Sequence, residues 1–83
     1  MSQPTQEQII AELTDFVSTN IVDGSIAIEP DTVLTQVGVD SFSIIELVLF
    51  LERNYGIALQ EKDMLPENFK TINALATCAI GYL

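Results

Sequence analysis

The stretch of the sequence best able to support chemistry is residues 38–48, GVDSFSIIELV, in which a serine follows an aspartate at the start of a long apolar run. Ser41 offers a hydroxyl nucleophile, but a serine hydroxyl is weak unless a neighbouring base activates it. The chain contains no histidine, which excludes Ser-His-Asp and Cys-His catalysis and most zinc sites. We therefore expect a protein that is not an enzyme, in which any chemistry at Ser41 is installed by another protein.

Two roles for Ser41 follow from its position. An Asp-Ser pair before an apolar run is typical of a helix N-terminus, where either side chain can accept a hydrogen bond from a free backbone N–H group. Alternatively, a phosphodiester attached to Ser41 would be tolerated there by the helix dipole and the same N–H groups. Capping is the simpler role, and the residues alone leave both open.

The helix that Ser41 would begin is apolar on two faces. It starts at Asp40 or Ser41 and runs to about Asn54, ahead of Gly56. A helix that is apolar nearly all round is either fully buried or carries a face for a partner, and both remain possible. One stripe would place the helix in the core (Ile44, Leu47, Val48, Leu51 and Tyr55), and the other is rotated away from it, with Glu46 and Glu52 at its border (Phe42, Ile45 and Leu49).

Two further helices are predicted from apolar residues that recur on one face. The first spans residues 5–19 and opens with a capping box formed by Thr5 and Gln8. The last begins near Thr71 and carries one continuous stripe, formed by Ile72, Leu75, Ala76, Ala79, Ile80 and Leu83.

The segments between these helices are shorter or irregular. Residues 61–69 offer at most a short helical turn, docked by Met64, Leu65 and Phe69. Residues 20–40 are expected to pack down through their apolar side chains, with a turn of helix at 31–37. These side chains are Ile21, Ile26, Ile28, Val33, Leu34 and Val37. The resulting architecture is an all-α bundle of three long helices and one short helix, in a single domain over residues 1–83.

The charge of the chain limits its partners. Twelve acidic residues against three basic ones give a formal net charge of −9. Binding to nucleic acid or to anionic membranes needs clustered basic residues, so both are disfavoured. An acidic surface suits basic protein partners. With no signal-type segment, no apolar run of membrane-spanning length and a single cysteine, we expect a soluble, cytoplasmic monomer.

Two smaller features have structural interpretations that are simpler than functional ones. Cys78 is interpreted as a small hydrophobic residue, because no basic neighbour in the sequence would lower its pKa. The acidic residues Glu61, Asp63 and Glu67 are interpreted as solvated surface, with a weak contact to a divalent cation as the alternative.

The sequence GVDSFSIIELVLFLE resembles the prosthetic-group site of acyl and peptidyl carrier proteins, whose usual pattern is Gly-x-Asp-Ser-Leu before an apolar helix. The order of the predicted elements is similar to that family along essentially the whole chain. The resemblance implies an acyl-carrier-like four-helix bundle with a long first loop. It also implies that Ser41 receives 4'-phosphopantetheine from coenzyme A through a phosphopantetheinyl transferase. The thiol of this arm would carry acyl groups as thioesters to fatty-acid, polyketide or related biosynthetic enzymes.

The resemblance also assigns neighbouring residues. Asp40 would support docking of the transferase, and Leu47, Val48 and Leu51 could line a cavity that holds the carried chain. The surface facing partner enzymes, which are ligases or synthases with basic docking patches, would comprise Phe42, Ile45, Glu46 and Leu49.

The chain departs from the family at Phe42, Ser43 and Arg53, which make the recognition helix bulkier and less acidic than in bacterial fatty-acid carriers. The segment LPENFKTINAL looks more like specialised stand-alone carriers that work with dedicated ligases. An aminoacyl or peptidyl carrier, or a non-modified acidic adaptor that binds partners through its second helix, remains an alternative.

Overall fold

The computed structural model describes residues 4–22 and 27–83, and all regular structure in these two ranges is helical. Three α-helices are present: α1 at Gln6–Phe16, α2 at Ser41–Tyr55 and α3 at Ile72–Ile80. Short 3-10 turns connect them at Leu34–Val37, Glu61–Asp63 and Pro66–Phe69. The prediction of an all-α protein is confirmed.

Helix α1 begins after Thr5, as the sequence predicts, but the α-helix itself ends at Phe16, ahead of the predicted end at residue 19. The Thr5 hydroxyl accepts a hydrogen bond from the Gln8 backbone N–H at 3.1 Å. After Phe16 the chain widens into a π-helical turn, Val17–Ile21, closed by a bond of 3.0 Å from the Val22 N–H to the Val17 carbonyl. Helical structure therefore reaches Ile21 instead of residue 19.

The connection to α2 is packed down, as expected, around Leu34. Leu34 is fully buried, and its backbone N–H donates to the Lys70 carbonyl at 2.9 Å. The predicted helical turn at 31–37 is present within narrower bounds, Leu34–Val37. Ile26 lies outside the described residues, and the remaining predicted apolar contacts are half-buried, at Ile21, Ile28, Val33 and Val37.

The core lies between α1, α2 and α3. Each fully buried leucine or isoleucine contributes about 1.5–3 kcal/mol relative to exposure, so this cluster stabilises the domain. A hydrogen bond of 3.0 Å from the Gln6 side chain to the Thr77 hydroxyl joins α1 to α3 at the surface. The buried hydrophobic residues are Ile9, Leu13, Val17, Leu34, Val39, Leu47, Leu51, Ile57, Phe69, Ile72, Leu75, Ala76 and Ala79.

The segment predicted as a single short helix forms two 3-10 turns instead. Pro66 restricts the residue before it to an extended backbone, and Leu65 has φ −105° and ψ 142°, which separates the two turns. The prediction that Met64 and Leu65 dock this segment is wrong. Both side chains are exposed, at 41% and 44%, and Phe69 alone of the three is buried.

Candidate functional site

Ser41 is placed at the start of α2 by a tight local turn. Gly38 ends the preceding 3-10 turn with φ +98°, a conformation that residues with a Cβ rarely adopt. Val39 then enters the core, and its N–H donates to the Leu34 carbonyl at 3.1 Å. This anchor fixes the backbone immediately before Asp40 and Ser41.

Asp40, and not Ser41, caps helix α2. The Asp40 carboxylate accepts a hydrogen bond from the Ser43 backbone N–H at 2.9 Å, and Ser41 is the first helical residue. The Ser41 side chain is exposed and forms no hydrogen bond with any other residue of the described ranges. The helix-cap role that the sequence left open for Ser41 therefore belongs to its neighbour.

The first turn of α2 favours negative charge. The hydrogen bond from the Ser43 backbone, followed by one from the Ser43 side chain, lowers the pKa of Asp40. The free N–H groups and the dipole of a 15-residue helix act in the same direction. An exposed hydroxyl in this field can carry an anionic substituent at little electrostatic cost.

The same geometry makes Asp40 a poor general base for Ser41. A general base is most effective when its pKa lies near the working pH, and the pKa of Asp40 is shifted away from it. The Asp40 carboxylate is also engaged with the Ser43 N–H. Asp40 is therefore poorly suited to remove the proton of the Ser41 hydroxyl.

A groove of about 800 Å³ opens beside Ser41. Its walls come from the connection before α2, the first turns of α2 and the segment that leads to α3, so residues far apart in sequence share it. The apolar lining residues are Val33, Val39, Ile44, Ile45, Met64, Pro66 and Phe69, and the polar ones are Thr35, Asp40, Ser41, Glu67 and Lys70.

Two residues of this groove were not predicted from the sequence. Thr35 and Lys70 line it, yet neither belongs to a periodic stripe or a motif, so no signal in the sequence indicated them. The cavity residues expected on α2 also differ. Leu47 and Leu51 are fully buried in the core, whereas Ile44 and Ile45 form the α2 side of the groove.

The second apolar stripe of α2 faces away from the core. Phe42, Ile45 and Leu49 are 72%, 55% and 41% exposed. Glu46 is half-buried beside them, and Glu52 is exposed. Full burial of α2, the alternative to an exposed partner face, is therefore wrong.

Of the acidic residues Glu61, Asp63 and Glu67, Asp63 has a structural role. The Asp63 carboxylate accepts hydrogen bonds from the Tyr82 hydroxyl and, at 3.2 Å, from the Gln60 N–H, and the first of these lowers the pKa of Asp63. Within residues 4–22 and 27–83, no three potential ligands among His, Cys, Asp and Glu gather as a metal site. Burial, together with the charge of Asp63, raises the pKa of the Cys78 thiol, which suits its structural interpretation.

Among the residues that the structure describes, no helix is both long and apolar enough to cross a lipid bilayer.

Comparison with known proteins finds a matching family and a similar protein. The model of a family described as "Phosphopantetheine attachment site" matches residues 7–79. Aminoacyl carrier protein 2 of Bradyrhizobium diazoefficiens is 23% identical to this chain over 78 residues, which cover 94% of this chain and 85% of that protein.

Two solved structures share the fold. One is a chain in the crystal structure of Bradyrhizobium japonicum glycine:[carrier protein] ligase complexed with glycylated carrier protein. It matches with a TM-score of 0.70 and 22% identity, over 88% of this chain and 96% of that one. The other is a chain in the crystal structure of the same ligase complexed with cognate carrier protein and an analogue of glycyl adenylate. It matches with a TM-score of 0.73 and 21% identity, over 92% of this chain and 96% of that one.

Proposed function

The chain belongs to the phosphopantetheine-attachment family of carrier proteins, and from that premise we propose that Ser41 bears the prosthetic group and that the group delivered is a small aminoacyl residue. Members of this family are substrates of other enzymes and not catalysts. The observation that supports Ser41 as the attachment site is that its hydroxyl does not cap the helix. Asp40 caps it instead, by accepting the hydrogen bond from the Ser43 N–H at 2.9 Å.

The residues around Ser41 fit 4'-phosphopantetheine, the covalently attached group that this family carries. The hydroxyl is exposed, the helix N-terminus tolerates the negative charge of a phosphodiester, and a groove of mixed polarity lies beside it. When bound, the group supplies a terminal thiol that holds the carried residue as a thioester. The chain contributes the attachment hydroxyl, the electrostatic environment and the surface that partners recognise.

Attachment requires a phosphopantetheinyl transferase, because Ser41 has no base of its own. In our proposal the transferase removes the hydroxyl proton while the Ser41 oxygen bonds to the phosphorus of coenzyme A that carries the pantetheine, and adenosine 3',5'-bisphosphate leaves. Asp40 stays ionised close to this hydroxyl, since its pKa is lowered. It is therefore available to a basic docking patch on the transferase.

The exposed stripe of α2 is proposed as the partner surface. Phe42, Ile45 and Leu49 present apolar side chains on the face that begins at Ser41, and Glu46 adds an acidic group among them. An apolar centre with an acidic rim matches an enzyme surface whose own rim is basic. Ligases or synthases that load and unload the arm are the expected partners.

The proposal of an aminoacyl cargo draws on the comparisons. The similar curated protein is an aminoacyl carrier protein, and the two solved structures of the same fold contain carrier proteins with a glycine ligase. An acyl group of fatty-acid or polyketide type is the second candidate. The apolar lining of the groove, especially Ile44, Met64 and Phe69, favours it.

The attachment site is tested by intact mass after incubation with coenzyme A and a broad-specificity phosphopantetheinyl transferase. We expect a gain of one phosphopantetheine in the wild type and none in Ser41→Ala. Ser43→Ala is the matched control, because it removes the other serine of the motif, and it should gain the full mass. If the folded wild type gains nothing beside an active transferase, the non-modified adaptor becomes the better function.

The cargo is tested on the modified protein in two parallel reactions with ATP. One contains the Bradyrhizobium japonicum glycine:[carrier protein] ligase with glycine or alanine, and the other contains an acyl-carrier-protein synthetase with octanoate. A mass gain of one amino acid residue in the first reaction supports the aminoacyl carrier. A gain only in the second identifies an acyl carrier instead.

A further inference from the structure

The groove beside Ser41 contains one cationic side chain. Lys70 lines it together with Ser41, Asp40 and Glu67, and it is the single basic residue among the described residues that form its walls. Lysine recognises phosphate as a compact point charge with three hydrogen-bond donors. The proposed carrier function assigns no role to this lysine.

The other two basic residues of the chain lie elsewhere. Arg53 is in the last turn of α2, about 18 Å from Ser41 along the helix axis at 1.5 Å per residue. Lys62 lines a different pocket, together with Asp63 and Tyr82. Among the three, only Lys70 shares a cavity with the attachment serine.

The backbone of Lys70 is held in place although its side chain is exposed. The Lys70 carbonyl accepts a hydrogen bond of 2.9 Å from the Leu34 N–H. On one side lies buried Phe69, and on the other Thr71 caps α3 by accepting from the Ala74 N–H at 3.0 Å. The base of the lysine side chain is thus fixed relative to the wall of the groove.

The negative charges in the groove indicate what this cation could bind. A phosphodiester on Ser41 is an anion, and it would share the groove with the carboxylates of Asp40 and Glu67 on a chain of net charge −9. Repulsion from these carboxylates shifts the arm from the groove toward solvent, and a cation in the groove offsets that repulsion.

We infer that Lys70 binds the phosphodiester of the arm attached to Ser41 and retains the arm along the groove. This inference rests on the proposed attachment at Ser41. An exposed ion pair is weak, so the expected effect is a shift of about two- to fivefold in the balance between the arm in the groove and the arm in solvent. Lys70 is in this sense a positioning residue for the carried group.

The test compares ¹H–¹⁵N NMR spectra of the unmodified and modified forms of the full chain. The variants are Lys70→Gln, Lys70→Arg and Lys62→Gln, the last being the matched loss of one exposed lysine outside the groove. Intact mass first establishes that each protein is fully modified, and thermal unfolding establishes that each is folded. The signals followed are the backbone amides of Thr35, Glu67 and Phe69.

In the wild type, Lys62→Gln and Lys70→Arg, modification should shift these groove signals. In Lys70→Gln these groove shifts should become smaller, in line with a change of about two- to fivefold in the balance, while the shifts next to Ser41 remain. Raising sodium chloride to about 0.5 M should reduce the shifts in the wild type, because salt screens exposed charges. Groove shifts in Lys70→Gln equal to those of the wild type would overturn the inference. Failure of every variant to gain mass would instead overturn the attachment at Ser41, and the role of Lys70 with it.

Discussion

Helices α2 and α3 begin in the same way and use their apolar residues in opposite ways. Each is capped by a side-chain oxygen that accepts from the third residue of the helix, Asp40 at 2.9 Å in α2 and Thr71 at 3.0 Å in α3. Over nine residues α3 buries Ile72, Leu75, Ala76 and Ala79, whereas over fifteen residues α2 buries only Leu47 and Leu51.

The difference lies in what surrounds each helix. Helix α3 packs against α1 and against the turn that contains Phe69, so its apolar stripe is covered. Helix α2 contributes one face to the core and leaves Phe42, Ile45 and Leu49 in solvent, on the side of Ser41. Exposed apolar side chains that lie together are typical of an interaction surface, which supports the proposal that α2 combines a structural face with a recognition face.

The largest effect that sharpens this comparison comes from two leucines on α2. Leu47→Ala should lower the free energy of unfolding by about 2–5 kcal/mol, because it leaves a cavity in the core. Leu49→Ala, the same substitution two positions further, should change it by no more than about 0.5 kcal/mol, because Leu49 is exposed. Urea denaturation of both variants measures the difference. Equal losses would mean that both faces of α2 are structural.

The next effect concerns the caps. Thr71→Ala should cost about 0.5–2 kcal/mol, because the Ala74 N–H loses its acceptor. Asp40→Ala should also destabilise the domain, and Ser41→Ala should not, because Asp40 does the capping. Thermal unfolding of the three variants, with Thr71→Ser as the control that keeps a hydroxyl, gives the order. A Ser41→Ala variant that unfolds as early as Asp40→Ala would return the cap to Ser41.

A smaller change in stability with a larger functional effect is expected on the recognition face. Ile45→Asp should stay folded within about 0.5 kcal/mol of the wild type, since Ile45 is largely exposed. Its rate of loading by a partner ligase should nevertheless fall, because an apolar contact is replaced by a charge. Ala58→Asp adds the same charge at an exposed site outside α2 and should load normally. Unfolding of Ile45→Asp would show that the stripe belongs to the core.

The smallest expected effect is a dependence of stability on pH, which the Asp40 cap should show and the Thr71 cap should not. The hydrogen bond from Ser43 lowers the pKa of Asp40 in the folded chain below its ordinary value of 3.8. A lowered folded pKa stabilises the fold above the unfolded pKa, and this contribution is lost as the pH falls through the folded pKa. The Thr71 cap carries no titrating group and should show no such loss.

Asp40→Asn provides the control for that titration, because asparagine can cap without ionising. As the pH falls below about 4, the wild type should lose unfolding free energy relative to Asp40→Asn, so that the advantage of the wild type becomes smaller. A difference that is constant from neutral pH into this acidic range would contradict the role of the Asp40 carboxylate.

Local signals were sufficient for the three helices, but at the start of α2 they left the cap open between Asp40 and Ser41. Thr5, Asp40 and Thr71 have capping oxygens next to apolar periodicity, and capping depends on atoms only two or three residues away. The two faces of α2 could likewise be separated from the spacing of Leu47 and Leu49, although their exposure could not. Periodicity failed at Met64 and Leu65, where Pro66 forces an extended residue between two short turns.

The amino-acid sequence by itself determined the helical class, the capped start of α2 and the chemistry available at Ser41, because these depend on neighbouring residues and on composition. The structure was needed to show that Asp40 takes the cap, although that bond is local. Only the tertiary structure decided that the Phe42 stripe faces solvent and that Lys70 lines the groove of Ser41. A hydrogen bond from the Leu34 N–H to the Lys70 carbonyl holds the Lys70 backbone there, although the two residues are 36 positions apart in the chain (70 − 34). Such a juxtaposition arises from packing between distant segments, and no local pattern encodes it.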